Sequence, residues 1–173
     1  MLTTPRSTHP DERVPGEASM STAQSRFRRI QSAIFTRIRH PEAATVSETG
    51  AIAWDASLLR GRHGVLVTYR ADGSSVPTPV WYAAHGDRVF VRTGAEAYKV
   101  KRILRTPAVL LASSTGRGKP TGAPMRGRAR ILDPSEESIA ERALRARHGL
   151  LRWVYSGAID DHVPTVYIEV GPR

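Results

Sequence analysis

The sequence predicts a mainly β fold, a small closed barrel with peripheral helices. Three observations predict it. Short β-branched or alternating segments recur between about residues 65 and 170. Turn signals separate most of them at short intervals, which favours antiparallel neighbours. One helical pattern interrupts the strands and another follows the fifth.

Each element has its own signal. Ala51–Arg60 reads as a short helix, with Thr49 as its cap and Gly61 as its stop. Val65–Tyr69 is a β-branched strand, and Ala71-Asp72-Gly73-Ser74 is a hairpin turn. Val76–Ala84 reads as the second strand. Its Pro77 and Pro79 stand two apart, so both missing donors face one way, which suits an edge or an irregular strand start. Trp81 and Tyr82 alternate, so one of them belongs to the core. His85-Gly86-Asp87 turns the chain into Arg88–Arg92, with Val89 and Val91 on one face. A helix follows near Ala97–Arg105, with Val100, Ile103 and Leu104 as its buried stripe. By helical wheel Lys99 and Lys101 flank that stripe, and Arg102 and Arg105 point away. Thr106-Pro107 ends the helix. Ala108–Ser113 and Met125–Leu132 are the next strands, joined by a loop at Thr115–Pro120. Asp133-Pro134-Ser135-Glu136 has the pattern of a capped helix start, running to about Arg147 and stopped by His148-Gly149. Leu150–Tyr155 reads as another short helix, and Thr165–Val170 as the last strand.

Charge is concentrated in one stretch. Arg88–Arg130 holds eleven basic residues and one acid, Glu96, a net +10 that equals the charge of the whole chain. These cations are interleaved with strands and a helix, which points to a folded anion site or an anionic partner. Arg126, Arg128 and Arg130 alternate on one strand face, either a solvated basic face or part of a site. Nucleic acid is disfavoured as the partner. The basic region offers only Phe90 and Tyr98 for base stacking and has no recognition-helix motif.

Composition narrows the chemistry. The 173 residues suit one domain, and 40% hydrophobic content suffices for a core. With no cysteine, disulfides and thiolate catalysis are excluded. No apolar run approaches the ~20 residues of a membrane span, and the first residues lack a signal-peptide core. A soluble cytoplasmic protein is expected. Gly118-Lys119 fails as a phosphate loop of the Walker type, because Ser113 and Pro120 occupy its diagnostic positions. The six histidines show no ligand spacing and read as turn, tail or cap residues, so no metal is expected. No nucleophile elbow, hydrolytic triad or carboxylate pair can be assembled. An enzyme of this composition would rely on a cofactor.

A resemblance adds to this reading. Val65–Tyr69, then Val76-Pro77-Thr78-Pro79-Val80-Trp81-Tyr82, then Val91-Arg92-Thr93-Gly94-Ala95-Glu96-Ala97-Tyr98-Lys99-Val100-Lys101-Arg102 resembles the split β-barrel flavin and deazaflavin oxidoreductases. This is the FMN-binding-type barrel group named after pyridoxamine-phosphate oxidase. Within it, the chain is most similar to the branch using the deazaflavin coenzyme F420. The similarity spans about residues 51–170. It implies a homodimer with two cofactor sites at the subunit interface. It implies a deazaflavin ring along Thr78, Pro79, Val80 and Trp81, and a phosphate beside Arg92, Thr93, Gly94, Lys99 and Lys101. The residues agree, since a helix beginning just after Thr93-Gly94 presents N–H groups and a positive dipole end. Arg92 adds a planar fork and Lys99 a mobile ammonium. Tyr98 departs from the pattern, standing where relatives carry Gly or, in FMN-using oxidases, Arg.

The expected function is hydride transfer between reduced F420 and a small conjugated or unsaturated substrate. An FMN-dependent oxidase or reductase, and a non-catalytic cofactor- or nucleic-acid-binding protein, are the alternatives. Residues 1–50 form an extension before a barrel domain at 51–173. The first 25 or so have the composition of a disordered segment. Phe27, Ile30, Ile34, Phe35 and Ile38 then recur at helical spacing among five arginines. That helix would pack on its own domain or lie on a membrane or partner surface.

Overall fold

The computed structural model describes residues 40–149 and 164–172, and all of them lie in one compact unit. The strands are β1 His63–Tyr69, β2 Ser75–Trp81, β3 Ala83–His85, β4 Arg88–Gly94, β5 Ala108–Ser114, β6 Met125–Ile131 and β7 Thr165–Gly171. The helices are α1 Tyr98–Arg105 and α2 Glu137–His148, with 3-10 turns at Pro41–Thr45 and Ala56–Leu58. The expected helices at 27–38 and 150–155 lie outside the described residues.

All seven strands form one antiparallel sheet in the order β2-β1-β5-β6-β7-β4-β3. Its two edges, β2 and β3, are separated in the chain by Tyr82 alone. A sheet whose edges are joined through one residue has to curl until they approach, which makes a split barrel. The single strand expected over Val76–Ala84 is therefore two strands on opposite edges. Tyr82 is the corner, 1% exposed. Its N–H donates to Arg62 O at 3.2 Å, and its hydroxyl donates to Arg60 O at 2.8 Å.

The β1–β2 hairpin forms as its turn chemistry dictates. Asp72 Oδ1 accepts from Ser74 N at 2.8 Å, and Gly73 takes φ +80°, a left-handed conformation that glycine adopts without penalty. The register pairs Val65 with Pro79 and Val67 with Pro77. β2 pairs only with β1. A proline cannot donate to a ladder, so Pro77 and Pro79 occupy the positions whose nitrogens face away from β1.

Leu66, Val89, Val91, Ile103, Leu111 and Ile168 meet inside the barrel. Outside, Val65, Val67, Leu110 and Ala112 are covered by Ala43, Val46 and Ala51. β1 and β5 are thus buried on both faces, which accounts for their unbroken apolar runs. On another outer face, α2 lays Ala140 and Leu144 over Ala83, Phe90, Leu132 and Tyr167. The last turn of α2 carries Arg145 and Arg147, whose charges complement the helix dipole.

Several expectations are corrected. Residues 51–60 are not a helix capped by Thr49. Ile52 bridges to Met125 in parallel, and only Ala56–Leu58 turns, with Asp55 Oδ1 accepting from Ser57 N at 2.9 Å. The backbone groups of Ile52 are claimed by Pro124 and Arg126, which holds this segment extended. Leu104 is 71% exposed rather than part of the α1 stripe, because Val100 and Ile103 alone face the sheet. Asp133 does not cap α2. Glu136 instead reaches back to accept from Asp133 N at 3.2 Å, and the helix begins at Glu137. The helix stops at His148 with Gly149 as its C-cap, as expected, and the His148 side chain is buried.

Candidate cofactor site

Cations collect where the end of β1 lies beside α1. Lys99 Nζ donates to Thr93 Oγ1 at 2.9 Å. Arg102 Nε donates to Thr68 Oγ1 at 2.8 Å. Arg105 Nη2 donates to Tyr69 O at 2.9 Å, and Arg70 Nη1 to Ser74 Oγ at 3.1 Å. Every one of these acceptors is neutral. Among the described residues, no carboxylate pairs with any of the four cations. Arg102 and Arg105 therefore do not point away from the sheet, as the helical wheel suggested. The wheel gives the direction of a Cβ, whereas an arginine is long enough to reach back over the helix edge.

Electrostatics marks the same place. Burial, with the Arg102 charge nearby, pulls the Lys99 ammonium down to about 8 from its ordinary 10.5. Burial and the neighbouring Arg70 and Arg105 lower Arg102. Both groups lack a counter-charge, and an anion here would relieve both. The N-terminus of α1, one residue before Lys99, has Ala97 as its N-cap and no side-chain cap.

The rest of the basic stretch is differently engaged. Arg88 and Arg130 both bind Glu169, at 3.0 and 3.1 Å. Arg130 also binds Glu136 at 2.6 Å, Arg126 binds Glu48 at 3.0 Å, and Lys119 binds Glu42 at 3.6 Å. The alternating arginines of β6 thus divide. Arg126 and Arg130 are internally paired, and Arg128 is exposed.

The residues expected near a phosphate are only partly gathered. Thr93 and Lys99 touch, and Gly94 lies between them in the chain with its carbonyl accepting from Ala97 N at 3.0 Å. Arg92 leaves the opposite face of β4 from Thr93 and donates to Thr165 Oγ1 at 3.3 Å. Lys101 is exposed, its Nζ 6.0 Å from the Tyr98 ring centroid. Tyr98 itself is 63% exposed, so it does not narrow this cluster. Arg70, Arg102 and Arg105 join it without having been proposed as ligands. The signal was available in the sequence as Thr68-Tyr69-Arg70 at the end of a strand opposite an arginine-rich helix.

The four residues expected along a ring also divide by face. Thr78 and Val80 share the face of the interior residue Leu66, and Val80 packs in the core. Pro79 and Trp81 share the outer face with Val65 and His63. The Thr115–Pro120 loop folds over Pro79. Gly118 adopts φ +87° there, and a Cβ on it would lie 2.8 Å from Pro79 Cγ. Trp81 is half-buried between two imidazoles, His148 stacked at 4.8 Å and His63 edge-on at 5.1 Å.

Comparison with known proteins agrees with this architecture. A search of curated proteins finds no significant match. Among solved structures, a conserved hypothetical protein from Mycobacterium tuberculosis aligns at 19% identity and TM-score 0.51, over 73% of this chain and 85% of that one. HutZ, the heme storage protein of Vibrio cholerae, aligns at 12% identity and TM-score 0.51, over 65% and 82%. A protein described as an F420 reductase aligns at 25% identity and TM-score 0.46, over 68% and 91%. The family model described as pyridoxamine 5'-phosphate oxidase matches residues 52–168. With most of its length under that match and its seven strands curled into the corresponding split barrel, the chain belongs to the pyridoxamine 5'-phosphate oxidase family.

Proposed function

We propose that this protein is an F420-dependent oxidoreductase acting on a small conjugated or unsaturated substrate, and that it works as a cytoplasmic homodimer. The observation that carries the reading is the set of four cations, Arg70, Lys99, Arg102 and Arg105, whose partners are all neutral. An enzyme built this way holds cations in readiness for an anion. A cofactor phosphate fits, because it would supply the negative charge that Lys99 and Arg102 lack. Lys99, held by Thr93, would grip it together with Arg102 and the first N–H groups of α1. Pro79 and Trp81 would provide the wall for the ring, with the Thr115–Pro120 loop keeping water from that side. Reduced deazaflavin, when bound, supplies a hydride. The protein's part is to orient donor and acceptor and to shield them.

FMN carries a phosphate too, so an FMN-dependent oxidase or reductase is the second reading. Titration of the purified full chain separates them. Saturable F420 binding with a Kd at least about tenfold below that for FMN supports the first. FMN co-purifying with the protein overturns it. Light scattering should give twice the 19.0 kDa chain mass, and a monomer at micromolar concentration would remove the shared-site dimer.

A further inference from the structure

The other end of β1 carries a second cationic cluster. Three segments are tied together there. Tyr82 N–H donates to Arg62 O at 3.2 Å, Arg147 Nη2 donates to Gly61 O at 2.6 Å, and His148 Nε2 lies 2.9 Å from Tyr82 O. These contacts fix the imidazole of His148 against the face of Trp81 and bring Arg62, His63 and Arg147 around them. His148 is 3% exposed. Its Nε2 must carry the proton, since a carbonyl can only accept. Its Nδ1 has no partner, and among the described residues it is the one buried side-chain polar atom so left. Native structures satisfy nearly all such atoms, so an orphan asks for an explanation.

The charges around it have one sign. Burial disfavours the His148 imidazolium and outweighs the Tyr82 carbonyl, which favours it, while the charged or titratable side chains acting on it, Arg62, His63 and Arg147, are all basic and lower it further. Burial and Arg62 do the same to His63. Among the described residues no carboxylate forms an ion pair with Arg62, His63, Arg147 or His148. Six residue steps along β1 separate His63 from Tyr69, about 20 Å at the rise of a strand. One phosphate cannot serve both ends. β2, the strand between Ser75 and Trp81, runs from the Arg70–Arg102 end to this one.

We propose that this end of the barrel binds the anionic group, carboxylate or phosphate, of a planar conjugated substrate. Arg62 and Arg147 contact the anion, and Trp81 with His63 forms the aromatic wall beside it. His148 is a positioning residue that sets the plane of the indole. The inference rests on the oxidoreductase reading and names the substrate class of that site. It explains why two basic groups and two imidazoles converge on one indole with no acid among them.

Cinnamate and cinnamamide test it, because they share a planar conjugated skeleton and differ in charge. Proton NMR of the full chain would follow the imidazole resonances of His63 and His148, assigned through His63→Gln and His148→Gln. Cinnamate should shift both saturably, with cinnamamide at least about tenfold weaker. The double variant Arg62→Ala/Arg147→Ala should weaken cinnamate about tenfold and leave cinnamamide unchanged. Arg62→Lys/Arg147→Lys should restore most of the difference, which a folding defect would not allow. Equal binding of the two probes, or cinnamate binding indifferent to the double variant, would overturn the proposal. A parallel F420 titration separates the two readings. If the double variant loses F420 as strongly as Lys99→Met does, the cluster belongs to the cofactor and this proposal falls. If neither F420 nor FMN binds while cinnamate discrimination persists, the cofactor reading fails and the anion site stands.

Discussion

Replacing Lys99 with Met tests the candidate cofactor site from two directions. The ammonium is held at about 8 instead of 10.5, a penalty on its charged form of about 3 kcal/mol at most. The side chain is half-buried rather than sealed, so water screens part of this, and about 2 kcal/mol is the working value. The sign follows from the direction of the shift. The folded value lies below the unfolded one, so between pH 8 and 10.5 the unfolded chain holds more protons. The Lys99 contribution therefore makes stability rise with pH across that window. Below pH 8 the full penalty is present, and Met removes it while losing the bond to Thr93, worth about 1 kcal/mol. Urea unfolding of wild type and variant at pH 7 and pH 10.5 isolates the effect as a difference of differences. The variant's advantage should shrink by about 2 kcal/mol at the higher pH. Anion binding has the opposite sign. Phosphate or cofactor affinity of the wild type should fall above pH 8, by up to about tenfold per unit. Lys99→Met should weaken it by about 1–3 kcal/mol at pH 7 and flatten that dependence. A pH-independent stability difference would mean that Lys99 is not desolvated. Unchanged affinity would mean that the cluster is not the anion site.

Arg102→Ala strips the fully buried Thr68 hydroxyl of its partner and should cost about 1–3 kcal/mol in urea unfolding as well as affinity. Arg105→Ala, which bonds an exposed carbonyl region, should cost less than about 1 kcal/mol in stability yet weaken anion binding, and no binding effect would exclude it from the cluster. Gly118→Ala places a Cβ 2.8 Å from Pro79 Cγ at φ +87°, so about 1–3 kcal/mol of destabilisation is expected, with Pro79→Ala partly relieving it in a double-mutant cycle. A chain beginning at Arg39 should keep its fold and binding. One beginning at Ser47 loses the buried Ala43 and Val46, and should be destabilised by about 2–3 kcal/mol or more, which circular dichroism melting would show.

Local chemistry was legible in the sequence. The Asp72-Gly73 turn and the edge position of the two prolines follow from short-range rules, and so does a core ring within the Trp81–Tyr82 pair, though not that it is Tyr82. So does the α1 stripe at Val100 and Ile103. What escaped was set by distant partners. Residues 51–55 carry a helical composition, but Met125 and Pro124 recruit their backbone into an extended bridge. The continuous apolar pattern through Trp81 and Tyr82 conceals that the chain changes sheet edges there. Of the residues the resemblance placed beside a phosphate, Thr93 and Lys99 are in contact, whereas Arg102 and Arg105 lie near them through side-chain reach, which periodicity does not encode. His148 was legible as the end of its helix, but nothing within ten residues reveals that its ring is buried and hydrogen-bonded to the Tyr82 carbonyl.

The prolines of β2 also limit what can be laid along the side of that strand turned away from β1. Pro77 and Pro79 have carbonyls there and no N–H. A strand placed on that side would meet acceptors without donors at both positions, and no shift of register by two residues supplies the missing N–H groups. Irregular chain can pack where a ladder cannot, as the Thr115–Pro120 loop does over Pro79. Pro77→Val with Pro79→Val restores both donors, and the expected result is more turbidity on heating than the wild type shows.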